Sequence, residues 1–197
     1  MRWLTLYARS RQIPVSLATL MTSTVLVCAL AWDGSAGPGD PRLPVLVIGT
    51  GTMAASIGLS GQDLALDRTA AIPWIPRRAA HVLLAGVLIG AVLAAAQTIG
   101  EDMAPTGLIA RDCAGLMGLA ALGATLLGGH YAWSLPFAWL AFSIFAPPPT
   151  SVATEAATWL LLPPGTPAGT WTALSLALVG TTTYAIAGPR RFGVRHQ

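Results

Sequence analysis

Residues 60–78 read Ser-Gly-Gln-Asp-Leu-Ala-Leu-Asp-Arg-Thr-Ala-Ala-Ile-Pro-Trp-Ile-Pro-Arg-Arg and interrupt a chain that is otherwise largely apolar. The stretch holds two of the six aspartates and three of the eleven arginines of the chain. Long apolar runs precede and follow it, so we expect it to lie in water while its neighbours do not. We interpret residues 60–78 as an aqueous loop of a membrane protein, placed to dock a partner.

The composition excludes an ordinary soluble domain. Hydrophobic residues make up 54% of the 197 residues and charged residues only 10%, whereas about 25% of residues are charged in soluble domains. The length suffices for five or six spans of about 20 residues each. The net charge of +3 is small, and arginines that border apolar runs normally set membrane orientation. Nucleic-acid binding is therefore not expected.

The apolar runs predict an all-α integral membrane protein with a single transmembrane domain. An amphipathic helix in residues 1–12 is expected to lie in the membrane interface. Six spans are expected, with approximate bounds 13–32, 44–59, 79–99, 107–127, 133–162 and 168–187. Residues 60–78 form the loop between the second span and the third.

The arginines place both termini in the cytoplasm. Nine of the eleven lie before the first span, after the second or after the last, and only Arg42 and Arg111 fall on the other side. Two ends on one side require an even number of crossings, so the fifth span, 133–162, must cross once. A run of three prolines at 147–149 is expected to divide it into a crossing half and a re-entrant or interfacial half on the outer side. Such irregular backbone is tolerated only where protein or water covers it.

The loop itself contains a recognisable order of residues. The acidic and basic neighbours Asp67 and Arg68 precede Thr69–Ile72, a stretch that suits a short helix ended by Pro73. Trp74 follows, and Arg77 and Arg78 lie at the mouth of the third span. Trp74 fits a membrane-interface anchor as well as a plug for a partner's pocket, and the arginines also fit a role in topology alone.

This order of parts resembles the permease subunits of ATP-binding-cassette (ABC) exporters of the second exporter class. The resemblance rests on the interfacial helix, six spans with both ends inside, a cytoplasmic loop between the second and third spans and a broken element before the last. It implies that the loop is a coupling loop that docks an ATPase. The docking residues it implies are Asp63, Asp67, Arg68, Thr69, Ile72, Pro73, Trp74, Arg77 and Arg78.

The resemblance also implies partners and a location. The sequence has no Gly-x-x-x-x-Gly-Lys-Ser/Thr phosphate loop and no lysine to complete one, so no cofactor is expected in this chain, and ATP and Mg²⁺ would bind to a separate ABC ATPase subunit. A second permease, identical or homologous, would complete the pathway. The expected location is the lipid of a bacterial cytoplasmic membrane.

Other functions remain open on the sequence alone. Asp63 and Asp67 are spaced for Mg²⁺ in a membrane transferase acting on a lipid or prenyl diphosphate. Ser60, in Gly-Leu-Ser-Gly, resembles the nucleophile of intramembrane serine proteases, and three histidines, His81, His130 and His196, are the scattered candidates for a metal. A membrane assembly or immunity protein without transport activity is a further alternative.

Arg111 and Asp112 lie about a turn inside the fourth span. Ionisable residues within spans are candidates for function, so both are candidate pathway residues, and Glu155 is a candidate partner for them. Because side chains near a helix end reach the surface at little cost, we favour solvent-reaching side chains for the pair.

Overall fold

The computed structural model describes residues 40–60, 74–98 and 104–190, together with residues 18, 21, 22 and 25. The predicted interfacial helix at 1–12, most of the predicted span 13–32, loop residues 61–73 and the tail from 191 lie outside the described residues. Every regular element in the described part is helical. The all-α prediction is confirmed for that part of the chain.

The described residues between 42 and 187 form six α-helices and three 3₁₀ turns. The helices are α1 (Arg42–Ser56), α2 (Trp74–Gln97), α3 (Thr106–Leu126), α4 (Ser134–Phe145), α5 (Val152–Ala157) and α6 (Pro167–Ala187). The 3₁₀ turns are Ile57–Leu59, Gly129–Tyr131 and Trp159–Leu161. Among the described residues, Arg42–Leu59, α2 and α3 are long and apolar enough to cross a membrane.

The helix after the loop starts earlier than the sequence predicts. We expected the third span to begin near residue 79, but α2 begins at Trp74 and includes Pro76, Arg77 and Arg78. The first-turn N–H groups of a helix have no acceptor within the helix, so a proline there removes no hydrogen bond. Pro76 is therefore compatible with a helix that starts at Trp74.

Helix α3 is the centre of the described fold. It packs against α1, α2, α4 and α6, and nearly every residue from Leu108 to Ala124 is buried. The approach of α6 is the closest, because Gly118 of α3 and Gly180 of α6 present bare backbone to each other. Small residues permit such close crossings between helices in lipid.

Helix α2 is the most apolar of the three candidate spans and the least buried. Only 22% of its most apolar window is buried, against 78% for α3. Its buried side is a narrow stripe of Val82, Gly86, Ile89 and Leu93, and the large side chains on its other side are exposed. Soluble proteins rarely expose so large an apolar face, so this distribution fits a helix surrounded by lipid.

The segment between α4 and α6 is broken, as the run of prolines suggested. Helix α4 ends at Phe145, and Ala146 is extended because it precedes Pro147. The side chain of Ser151 accepts from Thr154 N and the side chain of Thr154 accepts from Ser151 N, a capping box that begins α5. The indole Nε1 of Trp139 donates to Ala157 O at 2.9 Å, which ties α5 back to α4.

The ends of the helices meet at one end of the molecule. Tyr184 of α6 donates its hydroxyl proton to Leu59 O at 2.9 Å, and Arg190 N donates to Ala124 O at 2.9 Å. Arg78 lies against the backbone of Gly188. Arg111 lies in the first half of α3, towards the opposite end. Arg78 and Arg190 are thus separated from Arg111 along the helix axes.

Candidate functional site

The guanidinium of Arg111 is the centre of a buried polar cluster. Its Nε donates to Asp112 Oδ1 at 2.8 Å. Its two terminal nitrogens donate to three backbone carbonyls, Pro163 O at 3.2 Å, Leu162 O at 2.9 Å and Leu160 O at 3.4 Å. A single side chain therefore joins α3 to the backbone before α6.

Arg111 binds carbonyls at the end of the 3₁₀ turn Trp159–Leu161 and just beyond it, where the helix supplies few N–H donors. The 3₁₀ turn Trp159–Leu161 stops at Leu162, which is extended, and the last carbonyls of a helix have no intrahelical donor. Pro163 and Pro164 follow and contribute no N–H. Arginine carries five N–H donors in a planar fork, so one residue supplies several of the missing bonds.

Trp159 closes the cluster on the side of α3. Its ring lies directly against Gly115, where a Cβ would overlap the ring atoms. The guanidinium carbon of Arg111 lies 6.0 Å from the centre of the same ring, near the outer limit for a cation–π contact. Gly169, in the first turn of α6, lies so close that a Cβ would be 3.3 Å from Arg111 Nη1. Glycine at 115 and at 169 therefore makes room for the cluster.

The two charged side chains are removed from solvent. Arg111 is 8% exposed and Asp112 is 0% exposed. The prediction that they reach the surface is wrong, because the broken segment and the start of α6 cover the part of α3 that carries them. Asp112 Oδ2 has no hydrogen-bond partner among the described residues. Four hydrogen bonds thus engage the guanidinium, whereas one carboxylate oxygen of Asp112 has none among the described residues.

Glu155 does not join this pair. Within the described part of the chain, the ion pair in the structure links Arg111 to Asp112. Glu155 lies in the first turn of α5, half-buried, and its backbone N donates to Ser151 O. Asp112 takes the place expected for Glu155 because the side chains of neighbouring residues 111 and 112 bend towards each other.

The docking residues implied by the sequence fall into two groups. Asp63, Asp67, Arg68, Thr69, Ile72 and Pro73 lie outside the described residues. Trp74, Arg77 and Arg78 lie in the first turn and a half of α2. The guanidinium carbon of Arg77 lies 5.9 Å from the centre of the Trp74 ring. Trp74 is half-buried, whereas Ile75 beside it is 56% exposed, so Ile75 presents the more accessible apolar surface.

Both borders of the loop contact the last helix. The residue before the loop, Leu59, accepts the hydroxyl of Tyr184 through its carbonyl oxygen. On the other side of the loop, Arg78 near the start of α2 lies against Gly188, where a Cβ would be 2.8 Å from its Nη1. Gly188 has a φ of 70°, a conformation that glycine adopts readily. A displacement of the loop would therefore act on the end of α6.

The structure gives no support to Ser60 as a nucleophile or to the histidines as metal ligands. Ser60 Oγ donates to the carbonyl of Ile57 at 2.7 Å. His81 lies in α2 and His130 lies exposed in the turn Gly129–Tyr131, and His196 is outside the described residues. No group of His, Cys, Asp and Glu in the described part could hold a metal ion.

Two residues of the cluster were not singled out in the sequence. Gly115 is one of many glycines, and Trp159 is one of seven tryptophans, so neither stands out by type. The available signal was the spacing of Gly115 four residues after Arg111, which puts both on one side of α3.

Comparison with known proteins gave no match. No family model matches the chain, and no curated protein or solved structure matches it.

Proposed function

We propose that this chain is the membrane-spanning subunit of an ATP-driven exporter, in which a separate ABC ATPase docks on residues 60–78. The supporting observation is the broken segment between α4 and α6, anchored to α3 by Arg111. An element of this kind before the last span is what the resemblance to second-class ABC exporters leads one to expect. In this proposal the protein crosses the bacterial cytoplasmic membrane six times, with both termini inside.

The contacts of the described helices support a path for mechanical coupling. Both borders of the docking loop touch the C-terminal end of α6, through Tyr184 and through Gly188. Helix α6 in turn crosses α3 at Gly118 with backbone against backbone. Helix α3 holds the broken segment through Arg111. In this proposal, a displacement of the loop is transmitted through α6 and α3 to the broken segment at the opposite end of the protein.

The proposal assigns the chemistry to other chains. ATP and Mg²⁺ bind the ATPase, and this chain supplies half of a pathway that a second permease completes. Closure of two ATPases around nucleotide would tilt the helices between inward-open and outward-open arrangements. Arg111 and Asp112 are proposed to hold the broken segment against α3 from inside the fold. Glu155, which is half-buried in α5, is proposed to border the pathway, where ionisable residues within a membrane are often found.

Purification tests the proposal directly. The chain is expressed together with any ABC ATPase encoded beside its gene, extracted in mild detergent and tested for a stable complex. Reconstituted complex is then assayed for ATP hydrolysis against the ATPase alone. A complex with altered hydrolysis is the expected result. If no such ATPase co-purifies, the proposal is wrong.

A double variant tests the docking surface. Ile72→Asp combined with Ile75→Asp should abolish the effect on ATP hydrolysis while membrane insertion is retained. The structure favours Ile75 over Trp74 for this change, because Trp74 Nε1 is buried and its replacement would disturb the start of α2. Tyr131→Asp is the matched control, since Tyr131 is equally exposed but lies outside the loop. Coupling that survives the double change would contradict docking at this surface.

The transferase alternative has its own measurement. It requires Asp63 and Asp67 to bind Mg²⁺, and both lie outside the described residues. Calorimetric titration of the purified protein with Mg²⁺ should give no heat of binding if the chain is a permease. Binding that disappears in Asp63→Asn/Asp67→Asn would favour the transferase.

A further inference from the structure

Three buried polar atoms on three different elements have no hydrogen-bond partner within the described structure. They are Asp112 Oδ2 on α3, Ser143 Oγ on α4 and Trp159 Nε1 in the 3₁₀ turn. The three residues are 0%, 1% and 0% exposed. Buried polar groups in proteins are nearly always hydrogen-bonded, to protein or to an ordered water. Three such atoms therefore call for a common explanation if they lie near one another.

The register of the helices brings Asp112 and Ser143 to the same height. A Cβ on Gly123 of α3 would be 2.7 Å from the carbonyl oxygen of Ala132, just before α4. Only a short connection with the turn Gly129–Tyr131 separates the end of α3 from the start of α4, and the two helices contact each other, so we infer that α4 runs back along α3. Asp112 and Ser143 each lie about three turns, or about 16 Å, away from it.

Trp159 lies at this height as well. Its ring touches Gly115, less than a turn from Asp112 along α3. The 3₁₀ turn that carries Trp159 also packs against α4. Ser143 shares the buried side of α4 with Pro136 and Leu140, the side that faces the interior of the fold. The three atoms thus come from three sides of one buried region.

The chemistry of the three atoms restricts the ligand. A carboxylate oxygen only accepts a hydrogen bond, an indole N–H only donates one, and a serine hydroxyl does both. The indole N–H and the neighbouring Arg111 guanidinium disfavour a cation, and Asp112 disfavours an anion. The ligand must be neutral, small enough for a closed site, and both donor and acceptor. Water meets all of these conditions and commonly makes about three hydrogen bonds when buried.

We propose that Asp112, Ser143 and Trp159 bind an internal water between α3, α4 and the 3₁₀ turn Trp159–Leu161. The water donates to Asp112 Oδ2, accepts from Trp159 Nε1 and completes its bonds with Ser143. Arg111 already joins α3 to the broken segment by hydrogen bonds. The water would add a second polar link between them, from Asp112 to Trp159. This site does not depend on the proposed transport function.

A further buried hydroxyl provides a matched control. Thr52 Oγ1 of α1 is fully buried and also lacks a partner among the described residues. Gly49 of α1 meets Leu140 of α4, and Thr52 lies a turn further along α1, away from Ser143. The Thr52 hydroxyl is therefore outside the proposed site.

Radical footprinting of the full-length protein in detergent micelles tests the site. An X-ray pulse converts water to hydroxyl radicals, and a bound water oxidises the side chains beside it even where bulk solvent does not reach. Oxidation is read residue by residue by mass spectrometry. Met117 is the internal reference, because it is as buried as Trp159 and lies on α3, but faces Gly86 of α2.

The expected result is a several-fold faster oxidation of Trp159 than of Met117, although methionine sulfur reacts readily. Ser143→Ala should lower the oxidation of Trp159 several-fold, and Thr52→Val should leave it unchanged. Oxidation of Trp159 no faster than that of Met117 would overturn the proposal. So would equal oxidation in the wild type and in Ser143→Ala, provided that both proteins elute as one monodisperse species.

Discussion

Gly118 of α3 and Gly180 of α6 meet with backbone against backbone, so that a Cβ on Gly180 would overlap the carbonyl group of Gly118. On the other side, a Cβ on Gly118 would lie 2.6 Å from the Cα of Ala177. Neither obstacle is a flexible side chain that could turn away. The distance between the two helices is therefore set by the absence of side chains at both positions.

Gly180→Leu should destabilise the protein strongly, because α6 would have to move away from α3 along its whole length. Overpacking in a tight core costs about 1–3 kcal/mol and sometimes more. We expect a lowered thermal midpoint in detergent, followed by tryptophan fluorescence. Gly107→Ala is the control, since a Cβ there meets only Pro164 at an ordinary 3.7 Å. A Gly180→Leu protein as stable as Gly107→Ala would contradict the close crossing.

Arg111→Ala should be among the most damaging single substitutions in the described part of the chain. It leaves Asp112 as a buried, uncompensated charge and removes the bonds to the carbonyls of Leu160, Leu162 and Pro163. Breaking a buried ion pair by removing one partner costs about 3–5 kcal/mol. Arg111→Lys should recover little of this, because an ammonium group lacks the planar fork that reaches several acceptors.

Arg190→Ala is the matched control for Arg111→Ala. Arg190 also donates to a carbonyl, that of Leu126, at 3.1 Å, but it does so at an exposed site. A hydrogen bond of this kind contributes only about 0.5–1.5 kcal/mol. Chemical denaturation of the two variants in the same detergent should separate them clearly, and similar losses would show that the burial of Arg111 has no special weight.

Gly115 and Trp159 should show strong energetic coupling. Gly115→Leu overlaps the Trp159 ring, and Trp159→Ala leaves a cavity that costs about 3–5 kcal/mol. In the double variant the leucine fills part of that cavity, so the losses should not add. Coupling between contacting residues is typically about 0.5–3 kcal/mol.

A second cycle controls for general effects on α3. Gly86→Ala faces Met117 at 3.4 Å and is remote from the Trp159 ring. Its loss of stability should add to that of Trp159→Ala. Additive losses in both cycles would contradict direct packing of Trp159 on Gly115.

Parts of this arrangement could be predicted from the sequence because they depend on local chemistry. The break after Phe145 follows from three consecutive prolines, and the helical character follows from long apolar runs. The third span was expected near residue 79, with Arg77 and Arg78 at its mouth, but α2 begins at Trp74 because a proline in the first turn of a helix is tolerated. The effect of a proline depends on its position within the helix, and the sequence alone does not show where α2 begins.

The burial of Arg111 and Asp112 could not be predicted, because it depends on a segment about fifty residues away. A charged pair near a helix end ordinarily reaches solvent. Here the backbone around Leu162 folds over it and offers carbonyls that need donors. Such a match between an arginine and distant carbonyls leaves no periodic pattern in the sequence. The contact of Gly115 with Trp159 is hidden for the same reason.

Tyr184→Phe tests the link between the docking loop and the last helix. The substitution keeps the buried ring and removes the hydroxyl that donates to Leu59 O at 2.9 Å. The loss of stability should be modest, about 0.5–1.5 kcal/mol. Under the proposed function, the effect of the partner on ATP hydrolysis should fall more than stability does, because the border of the loop is released from α6. Tyr131→Phe, at an exposed position near the same end, should change neither quantity. A Tyr184→Phe protein that matches the wild type in both measurements would show that this hydrogen bond does not tie the loop to α6.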